Sequence, residues 1–299
     1  EQRVEQANAK VLNIILNGQP TWTDVQPAGK VIPGMLPNMI FYAGPTIAPE
    51  NIVPSVRAAI CGAAVHEGLA SDAKEAWRKV LGGEIQLASG QDYGCANGAA
   101  MATSASMPVH VVRDTVNDTL GFCVPHPGGE REVLRWGFYN EKIEASMVWF
   151  RDVFGPALGA AVRQLGGISL REIMAKTAGM GDENHVRQPA SSMLQALILI
   201  PALLDTDVPG RDDVIRFLAA NDRFFLHVMM AGVESVMMAA KKIKDSTVLV
   251  GLGGNGVELG IQMAGTGNQW HTTAAPKILG RFLNPEWSEK DILGFLGDS

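Results

Sequence analysis

The stretch Thr247-Val248-Leu249-Val250-Gly251-Leu252-Gly253-Gly254-Asn255-Gly256-Val257-Glu258-Leu259-Gly260-Ile261-Gln262-Met263 decides the fold class. Residues 251–256 satisfy the G-x-G-x-x-G pattern of a dinucleotide-binding turn, and an apolar strand, Thr247–Val250, precedes them. Such a turn must open a helix, because the pyrophosphate sits on the N–H groups of a helix N-terminus. Here Val257–Met263 alternates with a period of two, which is a strand. No acidic residue stands about 20 positions further on to meet a ribose. The segment therefore reads as a glycine-rich hairpin loop, and a nucleotide-binding oxidoreductase is not expected. Successive backbone N–H groups at Gly253, Gly254 and Asn255 form a candidate anion nest.

Working outward, the pattern is α+β in several parts. Val4, Ala7, Val11, Leu12, Ile15 and Leu16 recur at helical spacing before Asn17-Gly18, which predicts a helix over 3–17. Pro20 to Pro54 reads as short strands and structured loops. Helices are expected at 52–70 and 72–81, the second capped by Ser71-Asp72, and strands at Glu84–Ala88, Pro108–Arg113, Gly121–Val124 and Glu132–Trp136. Asn140 to Leu204 is almost purely helical: Asn140 caps a long helix, Ser169-Leu170-Arg171-Glu172 is a capping box, and Pro189 opens the apolar helix Ala190–Leu204. Helices at 211–220 and 222–243 follow, and Ser288 caps a last short one. The division expected is an N-terminal α/β unit, 1–139, a helical unit, 140–215, and a mixed α+β unit, 216–299. The ending Gly297-Asp298-Ser299 reads as an interruption, so the last unit is expected to be incomplete.

Composition narrows the function. Among 299 residues, 25 Lys and Arg stand against 31 Asp and Glu, a net charge of −6 that argues against a nucleic-acid binder. Charged residues make up 19%, below the roughly 25% of an average soluble domain, so a large core is available. The apolar run Met193–Leu204 is shorter than the ~20 residues of a membrane span. Cys61, Cys95 and Cys123 show neither metal spacing nor an even count, and no signal peptide is visible, so a reducing cytoplasm is expected and no metal or cofactor is.

Several loops carry chemistry. Gly179-Met180-Gly181-Asp182-Glu183-Asn184-His185-Val186-Arg187 places two carboxylates, an imidazole and a guanidinium between apolar helices. Asp182, Glu183 and His185 are candidate catalytic residues, for base or orienting roles, and Arg187 a bidentate anion grip. The bland alternative is a helix stop and cap with solvated charges. Ala88–Gly98 offers Gly94 and Asn97 as ligand-lining groups, with Cys95 read as a packed thiol for want of an adjacent histidine or basic residue. Thr266–Thr273 supplies hydroxyls at Thr272 and Thr273 beside Trp270. Pro54-Ser55-Val56-Arg57 opens a helix and resembles, locally, the Ser-x-Arg phosphate grip of aspartate and ornithine transcarbamoylases, making Arg57 a further anion-binding candidate.

Taken in order and spacing, Asp24–Gly29 with Val31-Ile32-Pro33-Gly34, then Met180–His185, then Gly256–Thr273 resemble the YlbE/AllG-like bacterial proteins encoded beside FdrA-like proteins in purine and allantoin catabolism. The resemblance spans most of the chain. It implies a multi-part α+β fold and a subunit of oxamate carbamoyltransferase, which with FdrA-like and further operon-encoded subunits moves a carbamoyl group between oxamate and phosphate. The implied partners are those subunits in a homo- or hetero-oligomer and small anions, carbamoyl phosphate and oxamate; no nucleic acid or membrane is implied. One departure is the loop Gln91–Asn97, often histidine-rich in the family and without histidine here. A non-catalytic interaction subunit is the alternative. The transferase reading requires Asp182–Arg187, Gly251–Gly256 and Trp270–Thr273 to converge on one cavity.

Overall fold

The computed structural model describes residues 1–98, 100–127, 134, 139–185, 187–278, 293, 294 and 296–298. Helix α1, Gln2–Asn17, follows the predicted periodicity and buries Ala7 and Val11. Strand β1, Pro20–Pro27, the single turn α2, Ala28–Val31, and strand β2, Met39–Tyr42, come next. Helices α3, Pro54–His66, and α4, Ala73–Leu81, follow; the Asp72 carboxylate accepts the Glu75 N–H at 2.8 Å and caps the second. Strands β3, Gln86–Ser89, β4, Cys95–Ala96, β5, Ala102–Thr103, β6, Pro108–Asp114, and β7, Thr119–Cys123, complete the first half.

The long helix expected from Asn140 is interrupted: α5, Glu141–Trp149, passes through a π-turn, Phe150–Phe154, into α6, Gly155–Gln164. Pro156 stands just past the turn and has no N–H to continue the α pattern. Strand β8, Ile168–Ser169, leads to α7, Leu170–Ala178, then α8, Pro189–Leu204, α9, Arg211–Ala220, and α10, Phe225–Ala240. Strands β9, Leu249–Asn255, β10, Glu258–Met263, β11, Trp270–Ala274, β12, Lys277–Ile278, β13, Leu293–Gly294, and β14, Leu296–Asp298, end the description. The strand expected at Glu132–Trp136, apart from Leu134, and the helix after Ser288 lie outside the described residues.

The fold is α+β. One sheet has the order β4-β7-β6-β1-β8, antiparallel except for the β4/β7 pair, and a second has the order β11-β10-β9-β14. A third, β3-β2-β5, is mixed, and β12 pairs with β13. The segments 140–215 and 216–299 both reach into the first sheet: β8 pairs with β1, while α10 lies against β7 and β6. Among the described residues, no single helix is long and apolar enough to cross a membrane; α9 and α10 pass that test as a pair but are bent by 93°.

The glycine string corrects the hairpin-loop expectation. Gly251–Asn255 is strand β9 itself, with Gly253 opposite Gly260 and Gly254 opposite Leu259, so these peptide groups belong to a ladder and form no anion nest. Close approach explains the glycines: a Cβ on Gly253 would stand 2.8 Å from the Gly44 Cα and 3.1 Å from the Trp270 ring.

Helix α10 is apolar on nearly every side, the composition of a buried helix. Ala231, Gly232, Ser235 and Val236 are buried along it, and Phe225 and Val228 join Trp22, Phe154 and Phe217 in one hydrophobic core. Its backbone meets β7 at Gly121, where an added Cβ would overlap the Ala231 carbonyl oxygen and the Ser235 nitrogen. Neither obstacle is a side chain that can turn away. Gly121→Ala is expected to destabilise the chain by about 3 kcal/mol or more, at the top of the overpacking range, as a lower urea midpoint with unchanged slope.

Candidate functional site

The charged loop between α7 and α8 is a built structure. Gly181, with φ +80°, and Asn184, with φ +64°, reverse the chain in left-handed conformations. The Asp182 carboxylate, 6% exposed, accepts from the Asn184 N–H at 2.7 Å and Nδ2 at 2.9 Å, and from the Ser191 N–H at 2.9 Å and Oγ at 3.1 Å. Both oxygens are occupied and the first turn of α8 is capped. Asp182 is thus held as an organiser of the loop, the outcome the capping alternative describes. Glu183 accepts the Arg187 N–H and closes the turn on itself. His185 is exposed, and its carbonyl accepts from Gln188 Nε2 at 2.7 Å.

What the loop builds is a cavity of about 360 Å³, bounded by Asp182, Arg187, Gln188, Pro189, Asp222 and Arg223. That is near the lower end of the ~300–1,000 Å³ typical of small-molecule sites. Arg187 and Arg223 are both exposed there and take part in no ion pair among the described residues. The starts of α8 and α10 flank it, so partial positive charge from two 16-residue helices adds to that of the guanidinium groups. Gln188 fastens the two helices together, its Oε1 accepting the Leu226 N–H at 2.8 Å, and Ser192 Oγ accepts the Phe225 N–H at 3.2 Å.

Beneath this end lies a histidine pair that sequence reasoning did not collect. The His126 and His227 rings meet edge to face with centroids 4.7 Å apart. His227 Nδ1 lies 2.7 Å from the Val124 carbonyl oxygen; because that oxygen only accepts, Nδ1 carries the proton. His227 Nε2 faces Gly98, and Asn221 Nδ2 donates to the His126 carbonyl oxygen at 3.4 Å. Asn97 is buried nearby but is spent on structure, donating to the Cys95 carbonyl at 3.1 Å and accepting from Thr103 Oγ1 at 2.8 Å. The visible signal was His227, a single imidazole in an otherwise apolar helix. Among the described residues no group of three or more His, Cys, Asp or Glu side chains has the geometry to hold a metal ion.

The other expected residues lie elsewhere. At the far end of α10, Lys241, 7% exposed, donates to the Gln91 carbonyl oxygen at 2.8 Å, and Gln91 Nε2 reaches the Leu252 carbonyl at 3.3 Å. Asp92 accepts from Gln262 Nε2 at 2.8 Å and Trp270 Nε1 at 3.1 Å; burial raises its pKa against these bonds and the Lys241 charge. Burial also pushes Glu234 above the usual carboxylate range, opposed by Lys241 and by a hydrogen bond to Gln91. Asn255 Nδ2 donates to the Pro45 carbonyl, while its Oδ1 takes the Val257 and Glu258 N–H groups. Thr272 and Thr273 are exposed on edge strand β11. Gly94 turns the chain at φ +69° against Met238.

Arg57 lies over the Trp77 ring at 4.4 Å in a separate cleft between α3 and α4. Burial there lifts the Cys61 thiol to about 11 despite the nearby Arg57 charge. Leu226, held by Gln188, and Lys241, held by Gln91, are fifteen residues apart on one helix, about 22 Å at 1.5 Å per residue. The 180s loop and the glycine strand therefore do not converge on one cavity. The single-cavity expectation is corrected: α10 stands between the two groups as a rigid spacer.

Comparison with known proteins places the chain independently of that geometry. A family model described as oxamate carbamoyltransferase subunit AllG matches residues 85–299. The chain belongs to the AllG family. Similar proteins in Escherichia coli K12 include the oxamate carbamoyltransferase subunit AllG, 33% identical over 99% of this chain and 71% of its own length. Another is the uncharacterized protein YahG, 34% identical over 99% of this chain and 63% of its length, so the chain spans under two thirds of that relative. A crystal structure of a conserved protein of unknown function from Enterococcus faecalis V583 superposes with a TM-score of 0.90 at 30% identity, over 98% of this chain and 71% of that one.

In this AllG-family chain Glu234 and Lys241 are both buried at the far end of α10, where no direct ion pair joins them but the Lys241 charge opposes the effect of burial on the Glu234 carboxyl. Replacing Lys241 leaves the Gln91 carbonyl without its donor and the Glu234 carboxyl without the opposing charge, at about 1–3 kcal/mol. Lys241→Met is expected to lose about 1–3 kcal/mol in urea denaturation, and Lys241→Met with Glu234→Gln to recover part of that loss. Equal losses for single and double variants would contradict the coupling.

Proposed function

We propose that this chain is a subunit of an oxamate carbamoyltransferase-type assembly and that the cavity at the starts of α8 and α10 is its binding site for small anions. The observation that carries this reading is the pair Arg187 and Arg223 on one cavity, free of ion pairs among the described residues. Carbamoyl phosphate and oxamate are compact anions rich in oxygen, and planar guanidinium groups bind carboxylate and phosphate through paired N–H donors. Family membership supports a subunit role in such an assembly, and FdrA-like and further subunits are the partners that the sequence resemblance implies. Asp222 in the cavity wall and His185 on the adjoining loop are the groups of the right type to take a proton from the oxamate amide, and the Arg187 guanidinium to stabilise the developing oxyanion.

A second reading, an interaction subunit without a substrate of its own, draws on α8, where Met193 and Leu197 are four residues apart and 64% and 71% exposed. Isothermal titration separates the two. On the transferase reading, the isolated chain binds carbamoyl phosphate or oxamate at millimolar concentration or tighter, and Arg187→Ala and Arg223→Ala each weaken binding roughly ten- to hundredfold, as loss of a hydrogen bond to a charged group predicts. Absence of binding favours the interaction subunit. His185→Ala then tests catalysis in the complete assembly: a large fall in turnover with binding retained supports the proton-transfer role, and unchanged turnover of both His185→Ala and Glu183→Gln makes the loop structural.

A further inference from the structure

A different set of side chains assembles where α3 ends. His66, the last residue of α3, has its side chain fully buried, with Nδ1 3.1 and 3.0 Å from the two carboxylate oxygens of Glu144 on α5. An ionised carboxylate only accepts, so Nδ1 carries the proton and Nε2 is left as an acceptor. Nε2 lies 3.3 Å from the hydroxyl of Ser106, which donates to it. The order hydroxyl, imidazole, carboxylate is that of a nucleophilic triad, and a distance at the long end is usual before substrate tightens the site. Two further contacts hold the parts in place. Tyr139 Oη donates to Glu144 Oε2 at 2.9 Å, and Glu67 Oε1 accepts the Ser106 N–H at 2.7 Å.

Location separates this from an ordinary interior hydrogen-bond chain. Ser106 is half-buried and lines an open cleft of about 350 Å³, while His66 and Glu144 stand behind it. Three cations share the cleft wall: Lys30, Arg151 and Arg163. Arg151 is bound to Asp152 and Arg163 to Asp24, whereas Lys30 is exposed and forms no ion pair among the described residues. The Ser106 N–H is committed to Glu67, so the donor for a developing oxyanion must come from the wall, and Lys30 is the uncommitted one.

We propose that Ser106, His66 and Glu144 form a second, hydrolytic site, in which Ser106 is the nucleophile toward small carboxylic esters that carry a negative charge. Ser106 Oγ bonds to the carbonyl carbon as His66 Nε2 takes the hydroxyl proton. The tetrahedral adduct collapses with cleavage of the bond to the leaving alkoxide, which receives that proton from His66. Water then attacks the acyl-serine with His66 again as the base, releasing the acid and restoring the Ser106 hydroxyl. Glu144 is the positioning residue that keeps the imidazole in the required tautomer, and Lys30 favours anionic substrates. None of the three triad residues lines the cavity of the proposed transferase function, and the inference stands or falls separately from it.

The test is covalent labelling of the full chain with phenylmethanesulfonyl fluoride, read by peptide mass spectrometry. The expected result is one sulfonyl adduct on Ser106, absent in Ser106→Ala and at least tenfold slower in His66→Asn and Glu144→Gln, with thermal melts confirming that each variant folds. The labelling rate should rise with pH through one ionisation in the wild type and lose that dependence in His66→Asn, a readout that a purely structural hydrogen-bond chain would not move. Hydrolysis of 4-nitrophenyl hydrogen succinate should exceed that of neutral 4-nitrophenyl acetate at least fivefold, with the preference lost in Lys30→Ala. A folded wild type unlabelled at Ser106, or labelled equally fast in His66→Asn, overturns the nucleophile; equal rates on the two esters overturn the charge selectivity.

Discussion

The contact on which the rest depends is backbone against backbone, where α10 meets β7 at Gly121 without an intervening side chain. A helix seated that closely is packed along its length, and none of its residues is exposed. Every polar group it carries must then be satisfied inside the protein or compensated there. Helix α10 carries His227 near its start and Glu234 toward its end, with Lys241 just beyond, and each has become a point where distant loops are fastened. At the start these are the 98–126 region and the loop ahead of α8; at the end they are Gln91, Asp92 and the glycine sheet.

This arrangement explains why glycine and amide residues that look like ligand groups are occupied by the fold. Gly44 and Gly253 permit two chain segments to touch, and Gln262 and Asn255 hold the second sheet to Asp92 and Pro45. The cavity at the opposite end differs in kind: its floor is tied together by Asp182 and Gln188, while its charged rim at Arg187 and Arg223 is left to solvent. A rigid base with unspent cations above it is the arrangement expected of a preorganised anion site.

The α+β class was legible because it turned on a local property, the period-two alternation after Gly256, and because caps such as Asp72 and Asn140 act within three residues. The position of the glycines within β9 was not legible, since their cause is contact with Gly44 and Trp270, far away in sequence. The 180s loop stood out through its density of charge, although the geometry then gave Asp182 to capping and Glu183 to turn closure. Ser106, His66 and Glu144 are 40 and 78 residues apart and unremarked in their own neighbourhoods; only the packing of α3 against the turn before β6 and α5 brings them together. Arg223 and His227 carry no local signal of a site either: Arg223 belongs to the short polar break Asn221-Asp222-Arg223 ahead of α10, and His227 is a single imidazole within that apolar helix.

The most direct test of the account is a crystal structure of the chain soaked with oxamate or carbamoyl phosphate. The account predicts an anion held by the guanidinium groups of Arg187 and Arg223 at the starts of α8 and α10, with the glycine sheet at the other end of α10 unliganded. Anion density instead against Gly253–Asn255 and Thr272-Thr273, with the arginine cavity occupied only by solvent, would contradict it.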